Sequence, residues 1–483
     1  MIQQFGTKQI FANMTLSVVF TIAQGMANLV AIIYLARVFG PRAYGVFTYT
    51  WVVTGVLGIV AYLGLPAYLT RQISQNPQKA LDIASTGLTI TMILSGGSAL
   101  VFLGVVQLIP GLHHYDSLFS LWTLLFLPLG MNPRWVYSAI GRLWIATLME
   151  VVAAVIRMTL LIWWVHSPRE LTLAVAITVG VYLGAAALGW IWLRRFVRVR
   201  FQYVNLRQAV NTIILSLPLS ITSTVRVLYA GTDVWILQMF QGATAVGHYS
   251  AAYRPITFLL TLSTVYFQMA FPVASRLTAQ SSHIMKQFLA VSVVAIAALA
   301  LPAAIGADIV ALPVMTAAFG LSYASSGVVF AILVWSWAVS LLREVYYTAL
   351  LAQHKERTFL RYFAITTVFN VVLMSLLVRW GALGTATALL VTQTVLLLMS
   401  AYGVQKTVDR HPRIAWVWKS LMKISVNTAI MAISVWILKP YVIVWVAVLI
   451  GCIVYAILTL TIRPLSRGQL SVFNTHTHVG TSS

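Results

Sequence analysis

The sequence predicts an all-α polytopic membrane protein with about fourteen transmembrane helices. Only 8% of its 483 residues are charged, against about 25% in a typical soluble globular chain, while 60% are hydrophobic and the mean hydropathy is +0.89. So few polar side chains cannot cover a surface that faces water, which excludes a soluble enzyme, a secreted disulfide-bonded scaffold and a disordered chain. The apolar residues also fall into successive runs of about 18 or more, the length that crosses a bilayer.

The apolar runs are separated by short segments that carry Arg, Lys, Gly, Pro or His. The first run is too long for the core of a signal peptide, so we count it as a span. At about 25 residues each, fourteen spans and short loops account for the whole chain. In chain order, the predicted spans are 11–36, 46–69, 84–110, 117–133, 143–166, 171–193, 209–238, 246–275, 287–318, 325–351, 359–378, 383–404, 420–438 and 441–462.

The distribution of cations between the loops supports this order of spans. With the N-terminus inside, the inner loops hold 22 Lys and Arg residues and the outer loops hold 5. Cytoplasmic loops of membrane proteins carry such an excess, so both termini are predicted to be cytoplasmic. Most of the net charge of +22 is then explained by topology and by attraction to anionic lipids of the cytoplasmic leaflet. Nucleic acid is not predicted as a partner, because the cations alternate with apolar runs.

Two short segments recur about 200 residues apart. Residues 39–49 resemble residues 240–250, and Gly64-Leu-Pro66 followed by Arg71 resembles Ala270-Phe-Pro272 followed by Arg276. A separation of six spans predicts two six-helix lobes, an arrangement of parallel repeats that transporters use. The predicted parts are an N-terminal lobe (1–193), a basic cytoplasmic linker (194–208), a C-terminal lobe (209–404), two further helices (405–462) and a cytoplasmic tail (463–483).

Five segments carry a resemblance to a known family. They read Ala-Arg-Val-Phe-Gly-Pro-Arg-Ala-Tyr-Gly-Val-Phe at 36–47, Leu-Gly-Leu-Pro-Ala-Tyr-Leu-Thr-Arg at 63–71, the stretch 232–254, Ala-Phe-Gly-Leu-Ser-Tyr at 318–323 and Gly-Ala-Leu-Gly-Thr-Ala-Thr-Ala at 381–388. Together they resemble the polysaccharide-biosynthesis (Wzx-type) flippases, part of the multidrug/oligosaccharidyl-lipid/polysaccharide (MOP) superfamily. The resemblance covers most of the first twelve spans.

The resemblance implies a MATE-like fold, with two helical bundles around a central cavity that opens alternately to each side. It implies a bacterial cytoplasmic membrane and a substrate in which an oligosaccharide is linked to undecaprenyl diphosphate. Such a flippase moves its substrate from the inner to the outer leaflet, and contact with polysaccharide assembly machinery is a further expectation. The resemblance does not identify the sugar.

Four arginines fall inside predicted spans: Arg157, Arg226, Arg254 and Arg343. A charge at membrane depth is costly, so each is expected to face a cavity, a partner or a ligand. Arginine donates bidentate hydrogen bonds to phosphate groups, which makes these four the predicted diphosphate-binding residues. The alternatives are ion pairs that tie helices together and, for Arg254 and Arg343, side chains that reach the membrane surface. The resemblance supports a role only for Arg254, which lies within a matching segment.

Four acids share this depth: Glu150, Asp233, Asp308 and Glu344. Glu150 and Arg157 are seven residues apart, as are Arg226 and Asp233, so each pair lies on one helix face and either forms an ion pair or lines one cavity. The acids are also candidates to carry H⁺ or Na⁺ as a coupling ion, and Asp308 is preferred because it has no evident partner on its own helix. No other cofactor is expected, and the chain has no phosphate-binding loop for nucleotides.

Other functions remain open alternatives. A multidrug extrusion carrier of the same superfamily would exchange a cation for H⁺ or Na⁺, although the four arginines would repel its substrate. A glycosyltransferase or polymerase would need a large outer loop with catalytic carboxylates, whereas the outer loops are short. The chain is therefore predicted to be a secondary transporter and not an enzyme. Gly180 and Gly184 in the sixth span are interpreted as a small-residue face for helix packing.

Overall fold

The computed structural model describes residues 7–197, 199–280, 282–405 and 415–465. Within these ranges the fold is all-α and contains no strand, which confirms the predicted fold class. The helices are α1 (Thr7–Leu57), α2 (Leu65–Gln75), α3 (Ala80–Leu108), α4 (Pro110–His113), α5 (Asp116–Thr123), α6 (Phe126–Met131), α7 (Arg134–Ala139), α8 (Leu143–Trp164), α9 (Leu171–Leu193), α10 (Leu206–Gln280), α11 (Ser282–Phe319), α12 (Ser326–Ala352), α13 (Glu356–Leu377), α14 (Gly381–Gln405), α15 (Ala415–Leu438) and α16 (Val444–Ile462).

Nine segments of the described residues are helical, long and apolar enough to cross a membrane. They are Thr15–Leu57, Pro77–Leu108, Leu143–Trp164, Pro168–Leu193, Met285–Phe319, Ser326–Ala352, Glu356–Gln405, Trp416–Leu438 and Val444–Ile462. The seventh contains the predicted spans 359–378 and 383–404, and the first covers most of the predicted span 11–36 and part of 46–69. The predicted fourth span does not form one long helix, because the chain turns between α5 and α6. The count of fourteen stays a prediction.

Two glycines interrupt the two longest helices in the same way. Gly40 in α1 has φ 67° and ψ 174°, and Gly242 in α10 has φ 74° and ψ −177°. This combination is essentially restricted to glycine, because a Cβ would collide with the backbone. The two positions are the equivalent glycines of the segments that the sequence analysis matched, so the repeat extends to the backbone at this point.

The two kinks also pack against each other reciprocally. A Cβ at Gly45 would collide with the carbonyl oxygen of Ala243, and a Cβ at Gly247 would collide with the carbonyl oxygen of Pro41. Both contacts join residues of the matched segments. Glycine is therefore required at Gly45 and Gly247 by the close approach of two backbones.

The chain divides into two compact units, Met1–Gly247 and His248–Ser483. The first half of α10 belongs to the first unit because its residues pack there. Ser216 donates a hydrogen bond to the carbonyl of Leu63 over 2.7 Å, and Gly231 lies against Val52 and Val56. This boundary lies about 40 residues beyond the predicted linker 194–208, and the proposed division into transport lobes stays a prediction.

Each unit has its own apolar core. In the first unit, a cluster that includes Leu65, Ile73, Trp135 and Ile145 joins α2, α3, α7 and α8. In the second unit, Val294 of α11 packs with Ile424 of α15, and a second cluster joins the far ends of α11, α15 and α16. Apolar side chains therefore hold the helices of each unit together.

Candidate functional site

A cavity of about 430 Å³ lies inside the first unit, with a mainly apolar wall that also carries polar and charged side chains. Its wall is formed by α1, the turn after α1, α6, the α6–α7 connection, the start of α7, α8 and α9. Among the described residues, two arginines and one glutamate are the charged residues that line it, and the others are amides, aromatic residues and apolar residues. The polar and aromatic lining residues are Gln24, Asn28, Trp51, Tyr62, Asn132, Arg134, Glu150, Arg157 and Tyr182.

Three contacts fix the helices around this cavity. The hydroxyl of Tyr34 in α1 donates a 2.8 Å hydrogen bond to the carbonyl of Val165, just after α8. The hydroxyl of Tyr137 in α7 donates a 2.9 Å hydrogen bond to the carbonyl of Gly189 in α9. Gly189 lies against Pro133, where a Cβ would stand 2.7 Å from the proline ring. These contacts hold α1, α7, α8 and α9 around a common space.

Arg157 is the half-buried cation of the cavity. Its Nη2 donates a 2.6 Å hydrogen bond to Oδ1 of Asn28, and its Nη1 lies 3.4 Å from the hydroxyl of Tyr182. The guanidinium carbon is 5.8 Å from the centre of the Tyr182 ring. Its Nε is buried without a hydrogen-bond partner. Among the described residues Arg157 forms no ion pair, so neutral groups orient a positive charge that stays uncompensated.

Glu150 lies two turns before Arg157 on α8 and lines the same cavity, as one of the two predicted alternatives requires. It does not pair with Arg157. Its carboxylate forms an ion pair with Arg134, which stands at the start of α7. The Glu150 charge is therefore neutralised locally, and two arginines with one glutamate leave the cavity with a net charge of +1.

Sequence reasoning missed Arg134, Asn28 and Tyr182 as parts of this site. The sequence predicts Arg134 to be one of the 22 cations of the inner loops. The spacing of charges does not show that α7 folds back beside α8. The only local signal was the Asn132-Pro133-Arg134 sequence, in which Oδ1 of Asn132 accepts a 2.9 Å hydrogen bond from the Arg134 amide. Asn28 and Tyr182 are single polar residues within apolar runs, a pattern with many structural explanations.

Two of the predicted residues form a local pair in the second unit. Nη2 of Arg343 donates a 2.9 Å hydrogen bond to the carboxylate of the next residue, Glu344, on α12. Asp308 on α11 is exposed, and its Oδ2 accepts a 2.8 Å hydrogen bond from Nε1 of Trp335 on α12. Asp308 thus has a neutral partner on the neighbouring helix α12. The sequence analysis had found no evident partner for it on its own helix.

The remaining predicted residues lie along α10. Asp233 is buried in the first unit, with 6% of its surface exposed. Arg254 is half-buried in the second unit, and its carbonyl accepts a 2.7 Å hydrogen bond from Thr257. The side chain of Arg226 lies outside the described residues. Of the four predicted arginines, Arg157 is the one that the described structure places in the cavity of the first unit.

Comparison with known proteins identifies the family. The profile of the family described as Polysaccharide biosynthesis protein matches residues 10–278, more than half of the chain. No curated protein matches the sequence.

Solved structures identify the fold. The inward closed structure of the lipid II flippase MurJ is 14% identical, with a TM-score of 0.70, and the match covers 92% of this chain and 99% of that one. An inward-facing multidrug resistance MATE transporter of the MOP superfamily is 13% identical, with a TM-score of 0.63 and coverage of 82% and 98%. A MOP superfamily transporter from Pyrococcus furiosus, described as having a binding pocket of reverse polarity, is 11% identical, with a TM-score of 0.55 and coverage of 83% and 95%. The chain is therefore a multi-pass membrane protein that has the transporter fold of the MOP superfamily and belongs to the polysaccharide biosynthesis protein family.

Proposed function

We propose that the protein is a flippase that moves an oligosaccharide linked to undecaprenyl diphosphate from the inner to the outer leaflet by alternating access. The observation that carries the proposal is Arg157, a half-buried guanidinium in a membrane-spanning helix whose hydrogen-bond partners are neutral. A permanent charge at this depth is costly and marks a functional position. Membership of the polysaccharide biosynthesis protein family agrees with the substrate class.

Arg157 has the chemistry that a diphosphate requires. Asn28 and Tyr182 orient the two terminal nitrogens of its guanidinium, and Nε has no protein partner. Phosphate oxygens accept charge-assisted hydrogen bonds from such a planar donor group. Trp51 lies on the same cavity wall, with its ring centre 6.2 Å from that of Tyr182 and its plane inclined to it by 28°. Sugar rings pack their C–H faces on aromatic rings, so this pair is a suitable surface for the oligosaccharide.

The net charge of the cavity argues against the rival function. A multidrug extrusion carrier needs a site that attracts cations, whereas here the one lining carboxylate is already paired with Arg134. Cation export is therefore the weaker candidate. Transport of ethidium without flipping of a diphosphate lipid would establish it.

The other predicted residues remain part of the proposal. Arg226 and Arg254 are proposed as further cations on the path of the diphosphate. Arg343 forms an ion pair with Glu344, so it is expected to contribute least to diphosphate binding. Asp308 is the proposed carrier of H⁺ or Na⁺, ahead of Asp233, Glu150 and Glu344. We further propose a secondary transporter and not an enzyme, located in a bacterial cytoplasmic membrane with both termini cytoplasmic. Anionic lipids and polysaccharide assembly proteins are its proposed partners.

The test is flipping of a fluorescent undecaprenyl-diphosphate oligosaccharide in proteoliposomes. We expect Arg157→Ala to lower the flipping rate at least tenfold, about 1.4 kcal/mol, and Arg157→Lys to restore part of it, because lysine keeps the charge but not the planar donors. The exposed Arg207→Ala is the matched control for loss of one cation. Arg157→Ala protein that is folded and flips at the parental rate would remove the basis of this proposal.

A further inference from the structure

Helix α11 contains two prolines, Pro302 and Pro313, and continues as one helix through both. Proline has no backbone N–H, so it cannot donate to the carbonyl four residues before it. The carbonyls that lose their usual donor are those of Ala298 and Ile309. A backbone carbonyl without a donor is costly in a membrane-spanning helix, because the bilayer core holds no water to replace the missing hydrogen bond.

Both of these carbonyls receive a side-chain donor from the two C-terminal helices. The hydroxyl of Tyr455 in α16 donates a 2.7 Å hydrogen bond to the carbonyl of Ala298. The ammonium group of Lys439, just after α15, donates a 2.7 Å hydrogen bond to the carbonyl of Ile309. Each proline of α11 is thus matched by one donor, and both donors belong to the helix pair that the sequence analysis placed outside the two predicted lobes.

Lys439 is one of the five cations predicted for the outer loops, but it is not simply exposed to solvent. Its side chain is half-buried, and among the described residues it forms no ion pair. A charged donor forms a stronger hydrogen bond than a neutral one. The charge of Lys439 is therefore directed at a backbone carbonyl of α11.

The spacing of the two prolines explains how one helix pair serves both positions. They are eleven residues apart, which is about three turns, so the two carbonyls lie on one face of α11, about 17 Å apart along its axis. Apolar clusters hold this helix against the pair. Val294 packs with Ile424 of α15, and Val310 packs with Met431 of α15 and Val444 of α16.

The two prolines also lie on either side of Asp308, which follows Pro302 by six residues and precedes Pro313 by five. The Asp308 carboxylate accepts its hydrogen bond from Trp335 of α12. A helix bends readily at proline, because one hydrogen bond of its ladder is missing there. The position of Asp308 against α12 therefore depends on what fixes the helix at both prolines.

We propose that α15 and α16 form a brace that fixes α11 at its two prolines by supplying the hydrogen bonds that the prolines cannot make. Tyr455 and Lys439 are then positioning residues, because they hold the segment 302–313, and Asp308 within it, in place against α12. The brace is independent of the proposed function. Its consequence for ion coupling rests on that function and extends it to the two C-terminal helices.

The test restores the missing donor inside α11. Pro302→Ala gives position 302 an N–H that bonds the carbonyl of Ala298, so Tyr455 is no longer required there. We expect Tyr455→Phe to speed amide hydrogen exchange in residues 299–306 about fivefold, as loss of one hydrogen bond predicts. In the Pro302→Ala background the same substitution should leave exchange as it is in Pro302→Ala alone. Full-length protein in nanodiscs is used throughout.

The second position is tested in the same way. Lys439→Met should speed exchange around residue 313 in the parent and leave it unchanged in the Pro313→Ala background. Tyr441→Phe and Lys419→Met are the matched controls, because these exposed side chains make no hydrogen bond to α11 in the described structure. Equal acceleration in the proline and alanine backgrounds, or none in either, would overturn the brace.

Flipping in proteoliposomes measures the consequence for Asp308 separately. We expect Tyr455→Phe/Lys439→Met to lose most of the stimulation by an imposed H⁺ or Na⁺ gradient, with near-parental flipping in its absence, because Arg157 of the first unit is unaltered. Full stimulation together with faster exchange in α11 would overturn the positioning role. A parent protein that does not flip the diphosphate lipid would overturn the proposed function, whereas hydrogen exchange would still decide the brace.

Discussion

Among the described residues, Arg157 of the first unit bonds to the neutral groups of Asn28 and Tyr182, whereas Arg343 of the second unit has the carboxylate of Glu344 beside it on the same helix. Both arginines bury an Nε that has no partner, so burial does not distinguish them. The difference lies in charge compensation. It teaches that an arginine at membrane depth is a candidate ligand site when its partners orient it without neutralising it.

A buried polar residue of the second unit likewise has an internal partner. Asn370 of α13 is fully buried, and its Oδ1 accepts a 2.9 Å hydrogen bond from Thr392 of α14. A neutral pair of this kind joins two helices and leaves no charge for a ligand. The described part of the second unit thus pairs Arg343 and Asn370 internally, while the first unit leaves one cation exposed to a cavity.

Reversal of the Arg157 charge is expected to change the flipping rate most, and it tests directly whether charge compensation distinguishes Arg157 from Arg343. Arg157→Glu changes the cavity from a net charge of +1 to −1, so repulsion of the diphosphate adds to the loss of its donors. We expect the flipping rate to fall about a hundredfold, equal to about 2.7 kcal/mol. Arg343→Gln in the second unit should lower the rate less than threefold. Comparable losses in both folded variants would show that charge compensation does not mark the site.

The response to an ion gradient gives the next largest effect. Asp308 accepts a hydrogen bond from Trp335 and forms no ion pair with the described residues, whereas the charge of Glu150 is engaged by Arg134. Asp308 is therefore the acid that we propose as the carrier of the coupling ion. We expect an imposed gradient to stimulate flipping by the parent protein severalfold, Asp308→Asn to abolish this stimulation, and Glu150→Gln to retain it. Flipping assays with and without an imposed H⁺ or Na⁺ gradient measure this. The reverse result would move the coupling role to Glu150.

The smallest effect on transport is expected for the neutral pair Asn370 and Thr392. Thr392→Val removes the hydroxyl and leaves the amide oxygen of buried Asn370 without that donor. The cost is about 1 kcal/mol of stability, measured as a lower midpoint of thermal unfolding in detergent, with a parental flipping rate in liposomes. A lost flipping rate at unchanged thermal stability would instead give this pair a part in transport.

The kinks show where sequence and structure agree most closely. The matched segments around Gly40 and Gly242 adopt the same unusual backbone conformation, and the packing of Gly45 and Gly247 is reciprocal. Glycine and proline restrict or free the backbone locally, so a pattern built from them predicts local geometry well. The second matched pair is less alike. Gly64 has φ 74° and precedes α2, whereas residues 270–272 lie within the continuous helix α10.

Composition and hydropathy alone determined that this chain is an all-α membrane protein, because the bilayer requires long apolar helices and few charges. They also selected Arg157 and Glu150, since charges at membrane depth stand out in any apolar run. Only the tertiary structure decided the partners. The predicted packing face of Gly180 and Gly184 is wrong, because a Cβ at either position would meet no atom within 4 Å. Arg134 reaches Glu150 because α7 folds back beside α8, and Asn28 reaches Arg157 because α1 packs along α8. Such contacts join residues distant in sequence, and the spacing of residues along one helix carries no information about which side chains a neighbouring helix presents.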